Sequence, residues 1–424
     1  MTRYGKYKNS GVKWLGSIPN HWDIIPLKFI VTCNDACLSP VENADKRIKY
    51  VEISDVDSVT GVNNYTEYNL KEAPSRARRI TEKNDVIIST VRTYLKAVAK
   101  INENDLIVST GFAVLRSKKI IHSDFLYYLI LSDSFVNRVI SYSVGTSYPA
   151  ITTADMLRLK VCVPPLDEQK SISDYLDAKV RKIDEAIKQQ QKMIELLNER
   201  RQIIISEAVT KGVNPDVQMK DSGIDWVGVI PEHWEVRRLK TLMSVRDERN
   251  DNPDEMLLSV YTALGVRPRK ELEERGNKAS TVINYKKVRR GDLIVNRLLA
   301  WMGAYGLSDY QGVTSPDYDV YCFNSNCFNP YYELMFRNSR FKGDCFKYGH
   351  GIMLMRWRTY PSEFLNIKVP YPPYDEQVLI YGALRPEIDK ISLQIEQREK
   401  IIKRLSERKR IIINDVVTGK VKVS

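Results

Sequence analysis

The clearest pattern in the chain is a heptad spacing of apolar residues in two long segments. Apolar residues return every three or four positions from Leu176 to Ala208, and again from Leu384 to Val416. A sustained seam of this kind predicts two coiled-coil helices. Pro386 predicts a break in the second segment, with a short helix before it and a long helix after it. The predicted seam residues are Ile183, Ile187, Ile194, Leu197, Ile204, Ile391, Ile395, Ile402, Leu405 and Ile412.

Polar residues interrupt both seams at matching heptad layers. Gln190 occupies the same layer as Arg398, and Arg201 the same layer as Lys409. Buried polar layers fix the register and the choice of partner, at some cost in stability. Matching seams favour pairing of the two helices with each other, and an antiparallel pair would satisfy a twofold relation between the halves of the chain. The alternative is that each helix packs on its own globular unit.

Outside the helical segments, short β-rich runs alternate with turn and charge signals. Residues 85–91 and 105–109 are runs that predict strands, whereas 124–130 has the apolar spacing of a helix. The tetrapeptide at 84–87 has an echo at 291–294, and both predict a turn that enters a strand. The pattern as a whole therefore predicts a mixed α/β (α+β) fold.

Two repeated motifs divide the chain into similar halves. The segment 10–22, which contains Trp14 and Trp22, returns 212 residues later with Trp226 and Trp234, and Pro-Pro-Leu-Asp-Glu-Gln at 164–169 returns 208 residues later as Pro-Pro-Tyr-Asp-Glu-Gln. The four tryptophans are predicted to pack in cores and joints, given the area they bury. Because the ends of the halves match while the interiors differ, we expect a shared scaffold that carries two individually shaped readers. The predicted parts are two α/β domains, 1–163 and 213–371, and two helical segments, 164–212 and 372–424.

The charge balance narrows the class of partner. A net charge of +12 favours a polyanionic partner, nucleic acid first and an anionic membrane second, although a merely basic protein is an alternative. The N-terminus lacks the apolar core of a secretory signal, and no apolar run approaches the roughly 20 residues of a membrane span, so a cytoplasmic location is expected. The six cysteines and four histidines are dispersed, which predicts reduced thiols and disfavours a zinc site.

Motifs for catalysis do not stand out in the sequence. There is no GxxxxGK[ST] loop for ATP and no glycine-rich turn suited to a dinucleotide or S-adenosylmethionine. The stretch Tyr371-Pro372-Pro373-Tyr374 resembles the motif of amino-methyltransferases, but its repeat counterpart is Val163-Pro164-Pro165-Leu166. We therefore interpret it as a joint at the entry to a helix, and we expect a chain that is not an enzyme.

Polar and basic loops that follow the predicted strands supply candidate DNA contacts. An arginine such as Arg92 can pair bidentately with guanine or a phosphate, and Tyr94 can pack on a sugar or a base. The alternative for each residue is a solvated loop or a core aromatic. Basic clusters at 76–79 and 286–290 are either faces that bind the DNA backbone or solubilising surface. The candidates are Arg92, Thr93, Tyr94, Lys96, Thr110, Ser147 and Tyr148 in the first half, and Arg297, Trp301, Ser315, Tyr348, His350, Arg356 and Arg358 in the second.

Taken in order, these motifs resemble the DNA-specificity subunit of type I restriction–modification systems over essentially the whole chain. The resemblance rests on the doubled Trp…Gly-x-Ile-Pro-x-His-Trp opening, the doubled Pro-Pro-x-Asp-Glu-Gln helix entry, and the heptad helices that end at 208–212 and 416–420. It implies that 1–163 and 213–371 are target-recognition domains separated by an antiparallel two-helix coiled coil. Each domain would read one half of a bipartite, asymmetric DNA site.

The resemblance also implies partners. These are double-stranded DNA, two methyltransferase subunits that use S-adenosylmethionine, and restriction subunits that use ATP and magnesium; the chain itself would hold no cofactor or metal and would not associate with a membrane. The residues alone leave two other functions open. One is a self-contained DNA methyltransferase or nuclease, which would need a cofactor loop or a metal cluster. The other is a coiled-coil adaptor without DNA specificity, which would not explain two α/β units.

Overall fold

The computed structural model describes residues 2–39, 42–58, 60–262, 264–271, 281–353 and 356–423. Contacts between residues divide the chain into two units. Unit 1 comprises Met1–Gln191 with Lys400–Ser424, and unit 2 comprises Lys192–Glu399. Both division points fall inside long helices, so each unit contains part of both helices. The predicted division of the chain into four parts therefore does not coincide with these two contact-defined units, and it stays a prediction.

Unit 1 contains two four-stranded sheets. Their strand orders are β11-β10-β13-β4, which is antiparallel throughout, and β8-β5-β12-β9, in which β12 and β5 are parallel. The strands are β1 (Tyr7–Asn9), β2 (Ser17–Pro19), β3 (Asp23–Pro26), β4 (Val31–Cys33), β5 (Arg47–Val51), β6 (Val56–Asp57), β7 (Gly61–Val62), β8 (Thr66–Asn69), β9 (Ala77–Ile80), β10 (Val86–Ser89), β11 (Val98–Lys100), β12 (Leu106–Ser109), β13 (Phe112–Ser117) and β14 (Lys160–Val163). The helices are α1 (Leu27–Ile30), α2 (Ser123–Leu131), α3 (Asp133–Tyr142), α4 (Thr153–Leu157) and α5 (Leu166–Lys211).

Unit 2 repeats this plan. Its main sheet has the order β23-β22-β25-β18, and the pairs β19-β20 and β21-β24 are joined by a parallel bridge between Leu257 and Val313. The strands are β15 (Met219–Asp221), β16 (Val229–Pro231), β17 (Glu235–Arg238), β18 (Met243–Val245), β19 (Leu258–Tyr261), β20 (Gly265–Pro268), β21 (Lys286–Val288), β22 (Leu293–Asn296), β23 (Tyr305–Leu307), β24 (Gly312–Thr314), β25 (Tyr318–Phe323) and β26 (Lys368–Tyr371). The helices are α6 (Asn329–Arg337), α7 (Phe341–Tyr348), α8 (Pro361–Phe364) and α9 (Tyr374–Val417).

The central strand of each unit shows why the fold forms. Side chains alternate between the two faces of a strand, and β10 is buried on both faces. Val86 and Ile88 pack into the core that contains α2 and α3, whereas Ile87 packs into a separate core with residues of the second sheet. In β22, Val295 and Ile294 divide between two cores in the same way. The short apolar runs of the sequence are therefore buried strands, as predicted.

A buried aspartate stands at the entry of both central strands. Asp85 accepts hydrogen bonds from Nε and Nη2 of Arg116, each at 2.9 Å, and Asp292 accepts them from Arg246 at 2.8 and 3.2 Å. These hydrogen bonds raise the pKa of both guanidinium groups. Arg116 lies on β13, but Arg246 follows β18. The two units thus keep a similar ion pair at the strand entry, with an arginine from a different part of the sheet in each.

The long helices run antiparallel within each unit. In unit 1, Asp184 of α5 accepts hydrogen bonds from Nζ of Lys409 of α9 at 2.8 and 2.9 Å. In unit 2, Arg200 and Glu387 lie 3.8 Å apart. Lys409 is nearly buried, so the polar layer predicted at this position is satisfied by an ion pair. The predicted α/β class with antiparallel long helices is confirmed.

The predicted seam faces inward along both helices. Ile183, Ile187, Ile391 and Ile412 are buried, and the six other predicted seam residues are half-buried. The predicted break at Pro386 is wrong, because α9 continues through it from Tyr374 to Val417. A proline removes one helical hydrogen bond, but packing decides the stability of most helices in proteins. Here buried residues on both sides, Leu384 and Ile391, hold the helix across the missing bond.

The repeated motifs form the same joint in both units. Oε2 of Glu168, in the first turn of α5, accepts hydrogen bonds from Trp22 Nε1 at 3.1 Å and lies 2.8 Å from His21 Nε2. In unit 2, Glu376 holds Trp234 at 3.0 Å and His233 at 2.8 Å. Both tryptophans are fully buried, as predicted. The histidine, tryptophan and glutamate of the repeat therefore form the same hydrogen-bonded group in both units.

The glutamine that follows each glutamate fixes the helix entry to the preceding α/β part. Gln169 donates to the carbonyls of Pro164 at 2.9 Å and Ile120 at 3.1 Å, and accepts from the backbone N–H of His122 at 2.8 Å. Gln377 repeats two of these bonds, with Pro372 and Phe328. The Asp-Glu-Gln triplet therefore encodes both attachments of the helix, which accounts for its return in the second half.

Candidate nucleic-acid interface

Three loops meet at the same end of the main sheet in each unit. In unit 1 they follow β10, precede β13 and follow α3, and we call them the three-loop surface of unit 1 (residues 90–97, 110–111 and 143–150). Thr90 N–H donates to the carbonyl of Gly111 at 2.8 Å, and Arg92 N–H donates to that of Pro149 at 2.8 Å. Strand pairing brings these loops together although they are up to about 50 residues apart in sequence.

Arg92 and Tyr148 form the centre of this surface. The Arg92 guanidinium lies 4.8 Å from the centroid of the Tyr148 ring, and both side chains are exposed. Arg92 has a positive φ of 52° in the turn that follows β10, a backbone conformation that is uncommon for residues other than glycine. A cation over an aromatic face keeps its outer edge free for a phosphate or a base. The two residues that the sequence singled out separately are therefore one group.

Exposed apolar and aromatic side chains surround this group. Tyr94, Val144 and Tyr148 are 52%, 81% and 61% exposed. Arg138 of α3 lies 4.3 Å from the ring of Tyr142 and donates to its hydroxyl at 2.7 Å. Neither Arg138 nor Tyr142 was predicted, because both lie on a helix whose exposed face the sequence could not orient. Contiguous exposed apolar surface with cations at its centre is typical of a binding site.

The three-loop surface of unit 2 (residues 297–304, 315–317, 349–353 and 356–358) occupies the equivalent position. Arg297 directly follows β22, whereas Arg92 stands further along the loop that follows β10. The carbonyl of Arg297 accepts from Thr359 N–H at 3.1 Å. His350 and Arg358 pair through their backbones, and the intervening loop exposes Ile352 almost completely. Arg356 is exposed and Arg358 half-exposed. The same end of the sheet thus carries cations and bare apolar side chains in both units.

A buried carboxylate anchors Arg297. Asp319 of β25, which is fully buried, accepts from Nε of Arg297 at 2.7 Å and from Nη2 at 2.6 Å. Lys286 donates to the same carboxylate at 2.9 Å. The hydrogen bonds to Asp319 raise the pKa of Arg297. The arginine is therefore a fixed cation at the base of its loop.

Four predicted contacts are buried or half-buried rather than exposed. Thr93 is buried and its hydroxyl is bonded to that of Ser143 at 2.8 Å, so it supports the loop from beneath. Trp301 is half-buried, and its indole N–H donates to the carbonyl of Leu298 at 3.0 Å. Tyr348 is half-buried against the core of unit 2. Lys96 lines a cavity of about 200 Å³ beside Arg410.

The remaining predicted residues lie at or near the loops. Thr110 and Ser147 are exposed in unit 1, and Ser315 is half-exposed in the turn before β25. His350 is exposed, and its Nδ1 lies 2.7 Å from Glu363. The predicted basic face at 286–290 is largely neutralised, since Lys286 is buried against Asp319 and Arg289 pairs with Glu248. Burial, which the sequence did not reveal, removes Lys286 from the candidate surface, while Arg289 and Arg290 stay exposed.

The chain has relatives of known class. Residues 21–196 match the family model described as type I restriction modification DNA specificity domain. The chain is 26% identical over 348 residues to the type I restriction enzyme MjaVIII specificity subunit of Methanocaldococcus jannaschii, which covers 76% of each chain. It is 22% identical over 325 residues to the EcoKI specificity subunit of Escherichia coli, which covers 71% of this chain and 68% of that one. Residues 21–196 therefore belong to the type I restriction modification DNA specificity family, and the chain is similar to type I specificity subunits over most of its length.

A solved structure supports the fold. Its description concerns complex assembly and conformational transition of the type I R-M system, and the match covers 95% of this chain and 99% of that chain with a TM-score of 0.69 and 21% identity. The specificity-subunit family is non-catalytic, so the expectation that this chain is not an enzyme is confirmed by its family. Neither alternative function receives support from these relatives.

Three further features concern the described residues alone. Within them, no group of three or more histidine, cysteine, aspartate or glutamate side chains is arranged to hold a metal ion. Of the helices described, none is long and apolar enough to cross a membrane. All six cysteines are free thiols in this specificity subunit, and Cys162, Cys327 and Cys345 are buried.

Proposed function

We propose that the two three-loop surfaces each read one half of a bipartite, asymmetric site on double-stranded DNA. The observation that carries the proposal is that three loops meet at the same end of the sheet in both units, with an arginine in the loop that follows the central strand, Arg92 after β10 and Arg297 after β22. Arg92 with Tyr148 serves the first half-site, and Arg297 with Arg358 the second. The net charge of +12 supports binding to the phosphate backbone.

The two three-loop surfaces carry different exposed side chains, which supports an asymmetric DNA site. Unit 1 presents Tyr94 and Tyr148 beside Arg92, whereas unit 2 presents Ile352 beside its arginines. Arginine donates bidentately to guanine, while apolar side chains contact thymine methyl groups or enter between base steps. Two surfaces with different chemistry recognise different bases. We also propose that Thr110, Ser147, Ser315, His350 and Arg356 contact the phosphates, sugars or bases around these central residues.

As a type I specificity subunit, the chain acts with methyltransferase and restriction subunits on DNA. We propose two methyltransferase subunits per chain, because two similar units offer two similar attachment surfaces. The partners would supply S-adenosylmethionine, ATP and magnesium chemistry, and this chain would supply the choice of site. We place it in the cytoplasm, where the DNA of such systems lies.

The test combines the chain with its partner. The purified chain, incubated with labelled S-adenosylmethionine and mixed-sequence duplex, should transfer no methyl groups. Together with the methyltransferase subunit encoded beside it, it should direct methylation to a bipartite motif. Methyl transfer by the isolated chain would contradict the proposal, and so would methylation by the complex without sequence preference.

Tyr148 gives a finer prediction. Its replacement by alanine removes the ring beneath the Arg92 guanidinium, a contact that contributes about 0.5–1 kcal/mol at an exposed site. Affinity for the first half-site should fall by about two- to fivefold. Competition binding of the assembled complex to duplexes with either half-site altered measures this. Tyr142→Ala is the matched control: it removes an exposed tyrosine that pairs with Arg138 instead, so it should leave the Arg92 contact intact.

A further inference from the structure

The buried charge cluster beneath the unit 2 loops calls for an explanation. Burying Asp319 costs free energy, which its two cationic partners offset. Asp319 and Lys286 are almost inaccessible, but the Arg297 side chain is 27% exposed. The cluster therefore connects the interior of the sheet to the candidate DNA surface through one residue. Its three charges sum to one positive charge, so the carboxylate does not cancel the charge that faces outward.

The geometry of Arg297 leaves one edge of the guanidinium for a ligand. Nε and one proton of Nη2 are occupied by Asp319. In the described part of the chain, Nη1 takes part in no hydrogen bond, so Nη1 and the second Nη2 proton form an end-on pair of donors. Two parallel donors match O6 and N7 of guanine, or two phosphate oxygens. The backbone is held as well, because Thr359 N–H binds the Arg297 carbonyl at 3.1 Å.

From this arrangement we infer that Asp319 is a positioning residue for DNA recognition by unit 2, and that Lys286 compensates its charge. Asp319 fixes the Arg297 side chain before DNA binds, so less rotamer entropy is lost on binding. Lys286 leaves the arginine with a full positive charge for the DNA. The inference rests on the proposed function, in which Arg297 reads the second half-site.

Unit 1 has no aspartate at the position that corresponds to Asp319. Asp319 lies opposite Val295 in the pairing of β25 with β22, and the residue opposite Ile88 in the pairing of β13 with β10 is Ala113. Arg92 instead rests on Tyr148, an exposed ring. A fixed arginine selects one base more strictly than an adaptable one. We therefore expect sharper discrimination at the base pair that Arg297 contacts than at the one that Arg92 contacts.

The experiment measures base discrimination by the complex of this chain with its methyltransferase subunit. Competition binding compares the cognate duplex with duplexes changed at one base pair, for every base pair of both half-sites. Arg297→Met should lose discrimination at one base pair of one half-site. Asp319→Asn should lower discrimination at that same base pair at least fivefold and leave the other positions unchanged. The ratio of two affinities does not depend on the folded fraction, so a loss of stability does not produce this result.

A matched variant controls for buried charge. Asp292→Asn removes the charge of another buried aspartate in unit 2, which also binds an arginine through two nitrogens. It should lower stability without changing discrimination at any base pair. The double variant Arg297→Met with Asp319→Asn should discriminate as Arg297→Met alone, because Asp319 acts only through Arg297.

Lys286→Met supplies a second readout in case Asp319→Asn does not fold. It leaves Arg297 and Asp319 as a neutral pair, so the slope of log affinity against log salt should fall by about 0.9. An unchanged slope would overturn the role of Lys286. Asp319→Asn could keep full discrimination at the base pair where Arg297→Met loses it. That result would overturn the positioning role of Asp319 but would not contradict the proposed function. If Arg297→Met altered no base preference, the proposed reading by unit 2 would itself be wrong.

Discussion

Replacement of Glu168 by alanine should destabilise unit 1 by about 2–4 kcal/mol. The carboxylate binds the indole N–H of the fully buried Trp22, the imidazole of His21, and the hydroxyl of Tyr4. Burial, and next the hydrogen bond to Glu168, raise the pKa of Tyr4, so this hydroxyl stays protonated and donates. A hydrogen bond to a charged group contributes about 1.5–3 kcal/mol, and a buried donor left unpaired costs about 1–3 kcal/mol.

Hydrogen exchange of the peptides around Trp22 and Trp234 measures this change in each unit separately. A loss of 2–4 kcal/mol corresponds to about 30- to 1,000-fold faster exchange. Glu168→Gln, which keeps an acceptor oxygen, should lose much less. Glu376→Ala should lose less than Glu168→Ala, because the position that matches Tyr4 in the second repeat is Asp216. Equal effects of Glu168→Ala and Glu168→Gln would show that the hydrogen bonds do not hold the joint.

Local patterns predicted the scaffold well because its parts are local or periodic. The heptad spacing identified inward-facing residues on both long helices, and the echo at 84–87 and 291–294 identified the entry of both central strands. The prediction failed where packing overrides propensity, as at Pro386. It also could not show that contacts would divide the chain within the long helices, since each unit takes helical segments from both halves of the sequence.

The candidate site was harder to predict because strand pairing creates it. Arg92 and Tyr148 were singled out as separate residues, and the backbone pairing of 91–92 with 149–150 brings them together. The anchor of Arg297 lies 22 residues further on, in a neighbouring strand whose register the sequence does not reveal. Thr93 and Tyr94 are adjacent, yet the turn after β10 buries one and exposes the other. Composition cannot separate such neighbours.

Exchange of the interior of unit 1 should change one half-site completely and leave the other intact. Residues 30–155 contain all three loops of the unit 1 surface. The exchange retains the joint at Trp22 and Glu168 and the pairing of β3 with β14, which frame this segment. Arg297 and its loops lie in unit 2, whose sequence the exchange does not alter. A segment from a relative with a different interior should therefore bring its own base preference.

Two variants control this exchange. The reciprocal exchange, in the corresponding interior of unit 2, should change the other half-site. Arg92→Met within the original segment should weaken or relax a single base pair of the half-site that the exchange replaces. If Arg92→Met instead affected the half-site that the exchange left intact, the assignment of the two surfaces to their half-sites would be wrong.

Mapping of methylated bases tests most directly whether each unit reads its own half of the site. The chain and the 30–155 exchange variant are each expressed with the same methyltransferase subunit, and the methylated positions of the whole genome are sequenced. We expect two bipartite motifs that share one half-site and differ in the other. Motifs that differed in both halves, or a single motif common to both chains, would contradict this expectation.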